Sequence, residues 1–295
     1  MTQNITIVGV GLIGGSFALA LREAGYDAHF TGVGRNEQSL RRAVELGIVD
    51  SYQTSVADAV KESDLVLLAT PVGAIDTVLE QMAPVLGSNT IVTDAGSVKQ
   101  SVIDSARRRL QHFENFVPAH PIAGTEHSGV EAGFASLYQG KRLILTPVAE
   151  TSQTAAEYVA ALWKSTGAVV EKMEPQHHDA VFAATSHLPH MIAFSLVETL
   201  YRMDKETPLL QHAGSGFADY TRIASSDPVM WRDVCLHNRD ALLTSLVTFK
   251  DRFDTLFDAI ESKDGETLEQ LFTTAKNTRD TKVLNSADLS SKPKK

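Results

Sequence analysis

A glycine-rich turn close to the N-terminus constrains this chain more than any other feature of its sequence. Ile5, Ile7 and Val8 form a short apolar run with β-branched residues, which predicts a buried strand. Glycines with G-x-G-x-x-G spacing follow, and the next apolar stretch predicts a helix from Leu12 to about Ala24. This order of strand, glycine turn and helix is typical of a dinucleotide-binding βαβ unit.

Each glycine of the turn has its own steric task. Gly9 allows a tight turn, Gly11 lacks the Cβ that would block a pyrophosphate, and Gly14 lets the helix pack close to the strand. Leu12 and Ile13 begin the helix, whose N-terminal amides would face the phosphates. An ordinary turn is the alternative, but the βαβ pattern that follows favours dinucleotide binding.

Composition and charge describe an ordinary globular chain with room for two domains. Its 295 residues are 43% hydrophobic and 21% charged. The net charge of -9 disfavours a nucleic acid as a partner. Cys235 is the single cysteine, which agrees with a reducing cytoplasm, and we expect it to be a small buried hydrophobe. We find no targeting segment and no apolar run that could span a bilayer, so we expect no membrane contact.

The first part of the chain alternates strand and helix patterns. Strands are predicted at residues 29–33, 64–71, 89–94, 115–119, 142–146 and 167–171. Helices are predicted between them at residues 37–46, 74–86, 98–110 and 154–166. This alternation predicts an α/β domain over residues 1–172, built on a doubly wound parallel sheet with right-handed crossovers.

The pattern changes near Met173. From Pro175 onward, apolar residues recur at helical spacing and no convincing strand is found, so we expect an all-helical domain over residues 173–285. Residues 286–295 are expected to be a disordered tail, since the segment from Ser290 onward has no apolar residue.

The predicted helical domain has more apolar faces than one short bundle needs. One helix carries Phe194, Leu196, Val197 and Leu200, and another carries Leu242, Leu243, Leu246, Val247 and Phe249. A monomer seldom exposes such stripes, so we expect a homodimer formed through this domain. Packing of the stripes against each other within one chain is the alternative.

Polar or small-residue loops follow several predicted strands. Thr70 and Pro71 follow the central strand, where they could lie against the ribose of a nicotinamide nucleotide. Residues 94–99 and 120–126 follow two further strands, and ligands bind beyond the carboxyl ends of an open parallel sheet. His120 is the best candidate for a proton acceptor, because neutral histidine accepts a proton near pH 7. From spacing alone, a structural histidine in a loop is an equally good interpretation.

Several longer stretches are more particular than the glycine turn. They are Gly11–Ser16, Asp94–Lys99, His120–Glu126, Ser186–His190, Asp219–Ala224 and Asp227–Arg232. Through these stretches the chain resembles, up to about Asn277, the prephenate and arogenate dehydrogenases of tyrosine biosynthesis. The resemblance implies a Rossmann domain followed by a helical dimerisation domain.

The resemblance also implies the reaction and its proton acceptor. The family decarboxylates prephenate oxidatively to 4-hydroxyphenylpyruvate, or arogenate to tyrosine, and transfers hydride to NAD or NADP. His120 would take the proton of the ring hydroxyl, and Ser97 would orient His120 by a hydrogen bond. No metal is implied, since loss of the carboxylate makes the ring aromatic. We interpret the adjacent His177 and His178 as surface residues.

Further residues are assigned to the substrate through the same resemblance. Arg222 would hold a carboxylate with its planar guanidinium, although a surface salt bridge is the alternative. His187, Thr125 and Glu126 would line the site. Trp231 is either a wall of the pocket or a core residue, and core is the better interpretation.

Two positions depart from the pattern of the family. Ala218 stands where some members carry a basic residue, which puts a second cationic contact to the substrate in doubt. The second predicted strand is followed by Gly34 and Arg35, where NAD-selective domains place an acid for the ribose hydroxyls. Arg35 can pair with a phosphate, so NADP is modestly favoured over NAD. The alternative is that Arg35 points to solvent while backbone amides hold the ribose of NAD.

Two other functions stay open. A dehydrogenase of the β-hydroxyacid or 6-phosphogluconate type would use a lysine of the helical domain, but no lysine occurs between Glu174 and Lys205. A non-catalytic nucleotide-sensing protein would need neither a proton acceptor at His120 nor a carboxylate clamp at Arg222. The sequence does not distinguish prephenate from arogenate as the substrate.

Overall fold

The first layer of the fold is a parallel sheet covered by helices on both faces. Its strands are β1 (Gln3–Val8), β2 (Ala28–Val33), β3 (Ser51–Gln53), β4 (Leu65–Leu68), β5 (Ile91–Asp94) and β6 (Phe116–Val117). The helices between them are α1 (Leu12–Glu23), α2 (Glu37–Glu45), α3 (Val56–Ala59), α4 (Val72–Met82) and α5 (Gln100–Arg109). The strands lie in the order β3-β2-β1-β4-β5-β6, and each pair is parallel. The predicted doubly wound sheet is confirmed, and its strand order reverses between β1 and β4, the point at which sheets of this kind bind their ligands.

The computed structural model describes residues 2–125, 127–205 and 208–283. Within the chain, residues 1–241 and 242–295 form two compact units. The predicted division between residues 172 and 173 stays a prediction. The predicted tail from residue 286 lies outside the described residues.

The central strand shows why the sheet is doubly covered. All four residues of β4 are fully buried. Leu65 and Leu67 belong to the apolar layer on one face, and Val66 and Leu68 belong to the layer on the other. Side chains alternate between the faces of a strand, so an unbroken apolar run fits a strand covered on both sides.

The chain leaves the parallel sheet at Pro118. A second sheet consists of β7 (Ala119–Pro121), β8 (Arg142–Leu145) and β9 (Val169–Lys172), with α6 (Gln153–Ser165) between the last two strands. In it β7 pairs antiparallel with β8, and β8 pairs parallel with β9. Pro118 has no N–H to donate to a ladder, while its carbonyl accepts from the Thr146 N–H at 3.0 Å. The expectation of one strand over residues 115–119, in a sheet shared with the later strands, is therefore wrong.

The rest of the described chain is helical, as predicted. The helices are α7 (Pro175–Phe182), α8 (Leu188–Asp204), α9 (Ser215–Thr221), α10 (Pro228–His237), α11 (Arg239–Glu261) and α12 (Gly265–Thr278). After Lys172 the described residues contain no strand. Trp231 and Val234 of α10 join the same apolar layer as the first residues of α4.

A π turn over Ala183–His187 joins α7 to α8 into one continuous helix. In it the Leu188 N–H donates to the Ala183 carbonyl, five residues earlier. Pro189 lacks an N–H, and in a regular α-helix its ring would clash with the carbonyl of Thr185. The wider turn accommodates the proline and sets the direction of His187, which is its last residue.

The continuous helix corrects one expectation. Pro175–Asp204 is 30 residues long and, by length and composition only, apolar enough to cross a membrane. Polar residues such as His187 and His190 interrupt the apolar run in the sequence. His178, Asp179, Phe182 and Ala183 of this helix are buried within the fold, and 22% of its most apolar stretch is buried.

Because α1 packs close to β1, alanine substitutions at the neighbouring Gly14 and Gly15 should have different effects on stability. A Cβ on Gly14 would lie 2.2 Å from the Gly9 carbonyl oxygen, whereas a Cβ on Gly15 would have its nearest neighbour, Ile48, at 3.6 Å. We expect Gly14→Ala to lower the free energy of unfolding by about 1–3 kcal/mol or more through overpacking. Gly15→Ala should be neutral or stabilise by up to about 1 kcal/mol, since alanine favours a helix. Denaturant unfolding monitored by circular dichroism compares them, and equal stability of the two variants would contradict the packing argument.

Candidate active site

The glycine turn lies at the carboxyl end of β1 beside the end of β4. Gly9 has a φ of +102°, and a Cβ there would lie 2.6 Å from the Ala69 carbonyl oxygen. Gly11 precedes the first turn of α1, and a Cβ there would meet no atom within 4 Å. The turn therefore leaves open space next to Leu12 and Ile13, at the end of a helix where free N–H groups favour a phosphate.

Residues after β2 and β4 border the same region. The Thr70 backbone nitrogen lies 3.1 Å from the position of a Cβ on Gly9, and Pro71 precedes the first residue of α4. The Thr70 hydroxyl is buried and has no hydrogen-bond partner in the part of the chain that the structure describes. Arg35 is exposed just beyond β2, while the side chain of Asn36 caps α2. An open phosphate position and an unpaired buried hydroxyl fit a bound dinucleotide.

His120 lies on β7 itself, not in a loop after a strand. Its Nδ1 is 2.8 Å from Nε2 of His178, and Nδ1 of His178 is 2.8 Å from a carboxylate oxygen of Asp179. A carboxylate only accepts, so His178 donates from Nδ1 and accepts at Nε2 from His120. The network thus assigns the proton of neutral His120 to Nδ1 and leaves a lone pair on Nε2, the form that a proton acceptor needs.

The surroundings keep the His120 ring neutral. The ring is partly exposed, and Phe182 packs against it with ring centroids 4.8 Å apart. Burial, and in addition the positive charge of the nearby Lys99 ammonium, lowers the pKa of His120 well below its ordinary value. His120 is therefore ready to accept a proton at neutral pH.

The orienting partner of His120 is not the one that the resemblance implies. Ser97 lies partly exposed in the loop between β5 and α5, and across the described ranges no hydrogen bond joins it to His120. His178 takes this place, although we interpreted it as a surface residue. Adjacent helical residues point about 100° apart, so His177 is exposed while His178 is fully buried. His178 stands four residues before the buried Phe182, and this spacing could have identified it.

His187 and Trp231 lie next to each other in the structure. His187 is 1% exposed, and its Nδ1 is 3.1 Å from the amide nitrogen of Asn238. Its Nε2 is buried without a partner among the described residues. Burial lowers the pKa of His187 to about 4. Trp231 is 7% exposed in the core, with its ring edge-on to His187 at 5.9 Å.

His190 connects Trp231 to Arg222, and the sequence analysis gave it no role. Its ring stacks on Trp231 with centroids 3.7 Å apart and an interplanar angle of 24°. Burial and, to a lesser degree, the charge of Arg222 lower the pKa of His190, although its hydrogen bond to the Ser186 carbonyl opposes the shift. Arg222 is exposed at the end of α9. The stretches that carry the resemblance after residue 185 thus meet around Trp231.

Thr125 stands apart from this group. It is exposed in the segment after β7, where its hydroxyl accepts a hydrogen bond from the His127 N–H at 3.2 Å. It borders a surface depression that is lined by Thr125, His127, Ser128, Glu131, Ala132 and Phe134. Glu126 lies outside the described residues.

The expectations for a metal site and for Cys235 can be compared with the described part of the chain. Within residues 2–125, 127–205 and 208–283, no group of three or more His, Cys, Asp or Glu side chains could hold a metal ion. Cys235, expected to be buried, is partly exposed, and its sulfur lies 3.1 Å from that of Met191.

Two family models match this chain. Residues 17–172 match the family model of the prephenate dehydrogenase nucleotide-binding domain, and residues 174–274 match that of the prephenate dehydrogenase dimerization domain. The chain is 40% identical to the cyclohexadienyl dehydrogenase of Zymomonas mobilis, over 94% of this chain and 95% of that protein. It is 38% identical to the prephenate dehydrogenase of Bacillus subtilis, over 95% of this chain and 76% of that protein.

Solved structures agree with these sequence matches. A prephenate dehydrogenase from A. aeolicus, in complex with hydroxyphenyl propionate and NAD+, superposes with a TM-score of 0.88 at 40% identity. The match covers 95% of this chain and 98% of that one. The arogenate dehydrogenase of Synechocystis matches with a TM-score of 0.76 at 28% identity, over 94% of this chain and 99% of that one.

Proposed function

The chain belongs to the prephenate dehydrogenase family, NAD(P)-dependent oxidoreductases of tyrosine biosynthesis, and we propose that His120 is the proton acceptor of its reaction. The observation that carries the proposal is the hydrogen-bonded series Asp179–His178–His120, with 2.8 Å at both contacts. It leaves Nε2 of His120 as the basic atom of a partly exposed ring. A histidine with only a structural role would not need a basic nitrogen, here Nε2, that points away from its buried partners His178 and Asp179.

The proposed reaction is the oxidative decarboxylation of prephenate. The proton of the ring hydroxyl passes to Nε2 of His120 while the hydrogen on C4 leaves as hydride. A bound nicotinamide supplies the hydride acceptor. The bond to the ring carboxylate breaks and releases carbon dioxide, and its electron pair moves through the ring to the C4 oxygen. The proton on His120 returns to that oxygen, so the products are 4-hydroxyphenylpyruvate, carbon dioxide and reduced cofactor.

His178 and Asp179 support this proton transfer without touching the substrate. When His120 becomes an imidazolium, its Nδ1–H strengthens the hydrogen bond to Nε2 of His178. The Asp179 carboxylate compensates the positive charge through the His178 ring, over two contacts of 2.8 Å. Both residues also keep the His120 ring in one orientation, which lowers the entropy cost of reaching the reactive geometry.

The substrate carboxylates are assigned to the group around Trp231. We propose that Arg222 binds one carboxylate with its fork of N–H donors, and that Trp231, His190 and His187 form the adjoining wall. The charge of Arg222 acts on His190, and His190 stacks on Trp231, which supports a common site. We also propose Thr125, in the segment after β7, as a residue that lines the substrate site. Arogenate, which carries an amino group in place of the keto group, is the second candidate substrate.

Replacement of His120 tests the proposed role directly. We expect His120→Asn to lower kcat by roughly 10²–10⁴-fold with little change in KM, because the proton acceptor is lost while the binding groups remain. The formation of reduced cofactor from prephenate, followed at 340 nm, gives both constants. His177→Asn, at an exposed neighbouring histidine, is the matched control and should keep full activity. An active His120→Asn enzyme would remove His120 from the mechanism.

We further propose that Arg35 lets this enzyme use NADP, with a modest preference over NAD. Arg35 is exposed beyond β2, at the position from which an acidic side chain would repel the 2′-phosphate. The Asn36 side chain is already engaged with the N–H of Ser39 at 3.0 Å, so it is less available to a ribose than the sequence alone indicates. Arg35 therefore offers the phosphate a charge-assisted contact.

Cofactor choice is tested by removing this side chain. We expect Arg35→Ala to lower kcat/KM with NADP by about 10-fold or more and to change the value with NAD by less than about 3-fold. The control is Arg41→Ala, since Arg41 is also exposed but is paired with Glu37 on α2. An unchanged NADP value in Arg35→Ala would show that Arg35 does not bind the phosphate.

The chain carries the dimerization domain of its family, and we propose that α11 and α12 supply the dimer contact. Exposed apolar side chains in the unit of residues 242–295 are Leu243, Val247, Phe249, Phe253, Phe257, Ile260 and Phe272. Phe249, Phe253 and Phe257 repeat every four residues, which gives one stripe along α11. Phe253 and Phe257 are more than half exposed, and a monomer seldom exposes such a stripe of aromatic side chains. The sequence-predicted residues Leu242 and Leu246 are buried and partly buried.

Assembly is tested on this stripe. We expect a dimer mass by light scattering at micromolar concentration, and a monomer mass for Phe253→Glu, because a buried unpaired carboxylate is costly. Asp251→Lys is the control, since residue 251 lies about 200° around the helix from Phe253. A monomer mass for the unaltered chain would refute the dimer.

The remaining proposals concern location and domain limits. We propose a cytoplasmic enzyme, in keeping with a single cysteine and with small-molecule substrates. We propose that the nucleotide-binding domain ends near residue 172 and that the helical domain starts at 173. No nucleic acid is proposed as a partner, given a net charge of -9. No membrane is proposed either, since Pro175–Asp204 is apolar enough by length and composition only and carries the buried His178 and Asp179.

A further inference from the structure

A buried ion pair lies behind His120 and has no part in the proton transfer described above. Asp94 is the last residue of β5, and Lys99 immediately precedes α5. Both side chains are 0% exposed, and the ammonium of Lys99 contacts a carboxylate oxygen of Asp94 directly. Removing two charges from water costs several kcal/mol per ion and is offset only when further hydrogen bonds are satisfied. The further hydrogen bonds of this pair indicate its task.

The ion pair forms hydrogen bonds with both backbone polar groups of Ala119, the residue that precedes His120. The Ala119 N–H donates to Oδ1 of Asp94 at 3.0 Å, and the Ala119 carbonyl accepts from Nζ of Lys99 at 2.6 Å. In an antiparallel strand the N–H and C=O of one residue point to the same side. Asp94 and Lys99 thus occupy, beside Ala119, the position of a neighbouring strand.

The strand β7 has a neighbouring strand on one side only, so its backbone needs other hydrogen-bond partners on the other side. It has three residues and lies at the edge of the sheet β7-β8-β9, so only β8 pairs with it. Ala119 is nevertheless fully buried, and a buried backbone group without a partner is costly. The ion pair satisfies these groups and stiffens the short strand that carries His120.

The backbone of Lys99 also positions His178, by way of the Asp179 carboxylate. The N–H groups of Lys99 and Gln100 donate to the two carboxylate oxygens of Asp179 at 2.8 and 2.9 Å. Asp179 in turn orients His178 at 2.8 Å. One residue therefore connects the strand of His120 with the carboxylate that fixes the tautomer of its partner.

We propose that Lys99 is a positioning residue for the proton transfer: with Asp94 it replaces a missing strand beside β7, and through Asp179 it aligns His178 with His120. This inference rests on the proposed role of His120. The ammonium also places a positive charge near the ring, which favours the neutral form of His120. The titratable groups around His120 are Asp94 of β5, Lys99 before α5, His178 and Asp179 of α7, and His187 of the π turn.

The decisive variant removes the charge of both partners. In Asp94→Asn/Lys99→Met no buried charge is left unpaired, and the contact to the Ala119 carbonyl is lost. The single amide oxygen of residue 94 accepts from only one of the two N–H groups, of Ala119 and of Gly96, that donate to the carboxylate of Asp94. We expect kcat to fall by roughly 10–100-fold, as for a misplaced reacting group, while KM for prephenate and for cofactor changes by less than about 3-fold. The acid limb of the pH profile of kcat/KM should move to higher pH, because the Lys99 charge that lowers the pKa of His120 is gone.

A second variant separates the contact from the charge. Lys99→Gln keeps an N–H donor on a stem of similar direction but carries no charge. It should recover part of the kcat that the double variant loses and should still show the raised acid limb. Lys99→Gln also keeps the proposal testable if the double variant does not fold, since an unshifted acid limb and wild-type kcat in Lys99→Gln would overturn it.

A stability control excludes a general effect on the fold. Thr90→Val removes the buried hydrogen bond from the Thr90 hydroxyl to the Ser63 carbonyl, 2.7 Å long, before the amino end of β5. It should lower the melting temperature and leave kcat and the pH profile unchanged. The proposal is overturned if the folded double variant has wild-type kcat and pH profile, or if Thr90→Val reproduces its kinetic loss.

The proposed roles of His120 and of Lys99 are tested separately. If His120→Asn keeps wild-type activity, the proposed function of His120 is wrong, whatever the Lys99 variants do. If His120→Asn is inactive while the folded Asp94→Asn/Lys99→Met enzyme behaves like wild type, the role of His120 stands and the positioning role of Lys99 is wrong.

Discussion

The arrangement of the site depends on the carboxylate of Asp179. Burial raises its pKa, but hydrogen bonds from His178 and from the N–H groups of Lys99 and Gln100 outweigh burial, so the pKa of Asp179 is lowered. A stable anion at the first turn of α5 also complements the positive end of that helix. Because this anion can only accept hydrogen bonds, it determines the tautomer of His178 and, through it, that of His120. The chemistry of the site is thus determined by a residue that touches no substrate.

Local sequence patterns predicted most of the parallel sheet, although they missed the short edge strand β3. Strand β4 is an unbroken apolar run, and the turn from Gly9 to Gly14 follows β1 with the spacing that its backbone contacts require. Such features involve residues close in the chain, so a single sequence reveals them. The second sheet was missed because it depends on pairing between Ala119–Pro121 and Arg142–Leu145, which are far apart in the chain. Pro118 was the one local sign that the strand ends there.

The site was predicted in part, and the reason is again distance along the chain. His120 could be proposed from its own chemistry and from the family resemblance. Its partner His178 is 58 residues away, and a doublet of histidines on a helix has an ordinary surface interpretation. Asp94 and Lys99 belong to a recognised stretch, but only the folded structure shows that they hold Ala119 from both sides. A sequence motif identifies such residues without revealing which atoms they serve.

The π turn at Ala183–His187 has a consequence for how relatives of this protein can diverge. A π turn contains one residue more than the α-helical turn that it replaces, so deleting a single residue there would restore a regular helix. The wider turn absorbs the additional residue, so the side chains after the deletion would keep their places around the helix axis, and His190 would still face Trp231. The restored turn would instead bring the ring of Pro189 against the carbonyl four residues earlier. We therefore expect relatives that lack the additional residue to lack this proline as well, so the two features are kept or lost together.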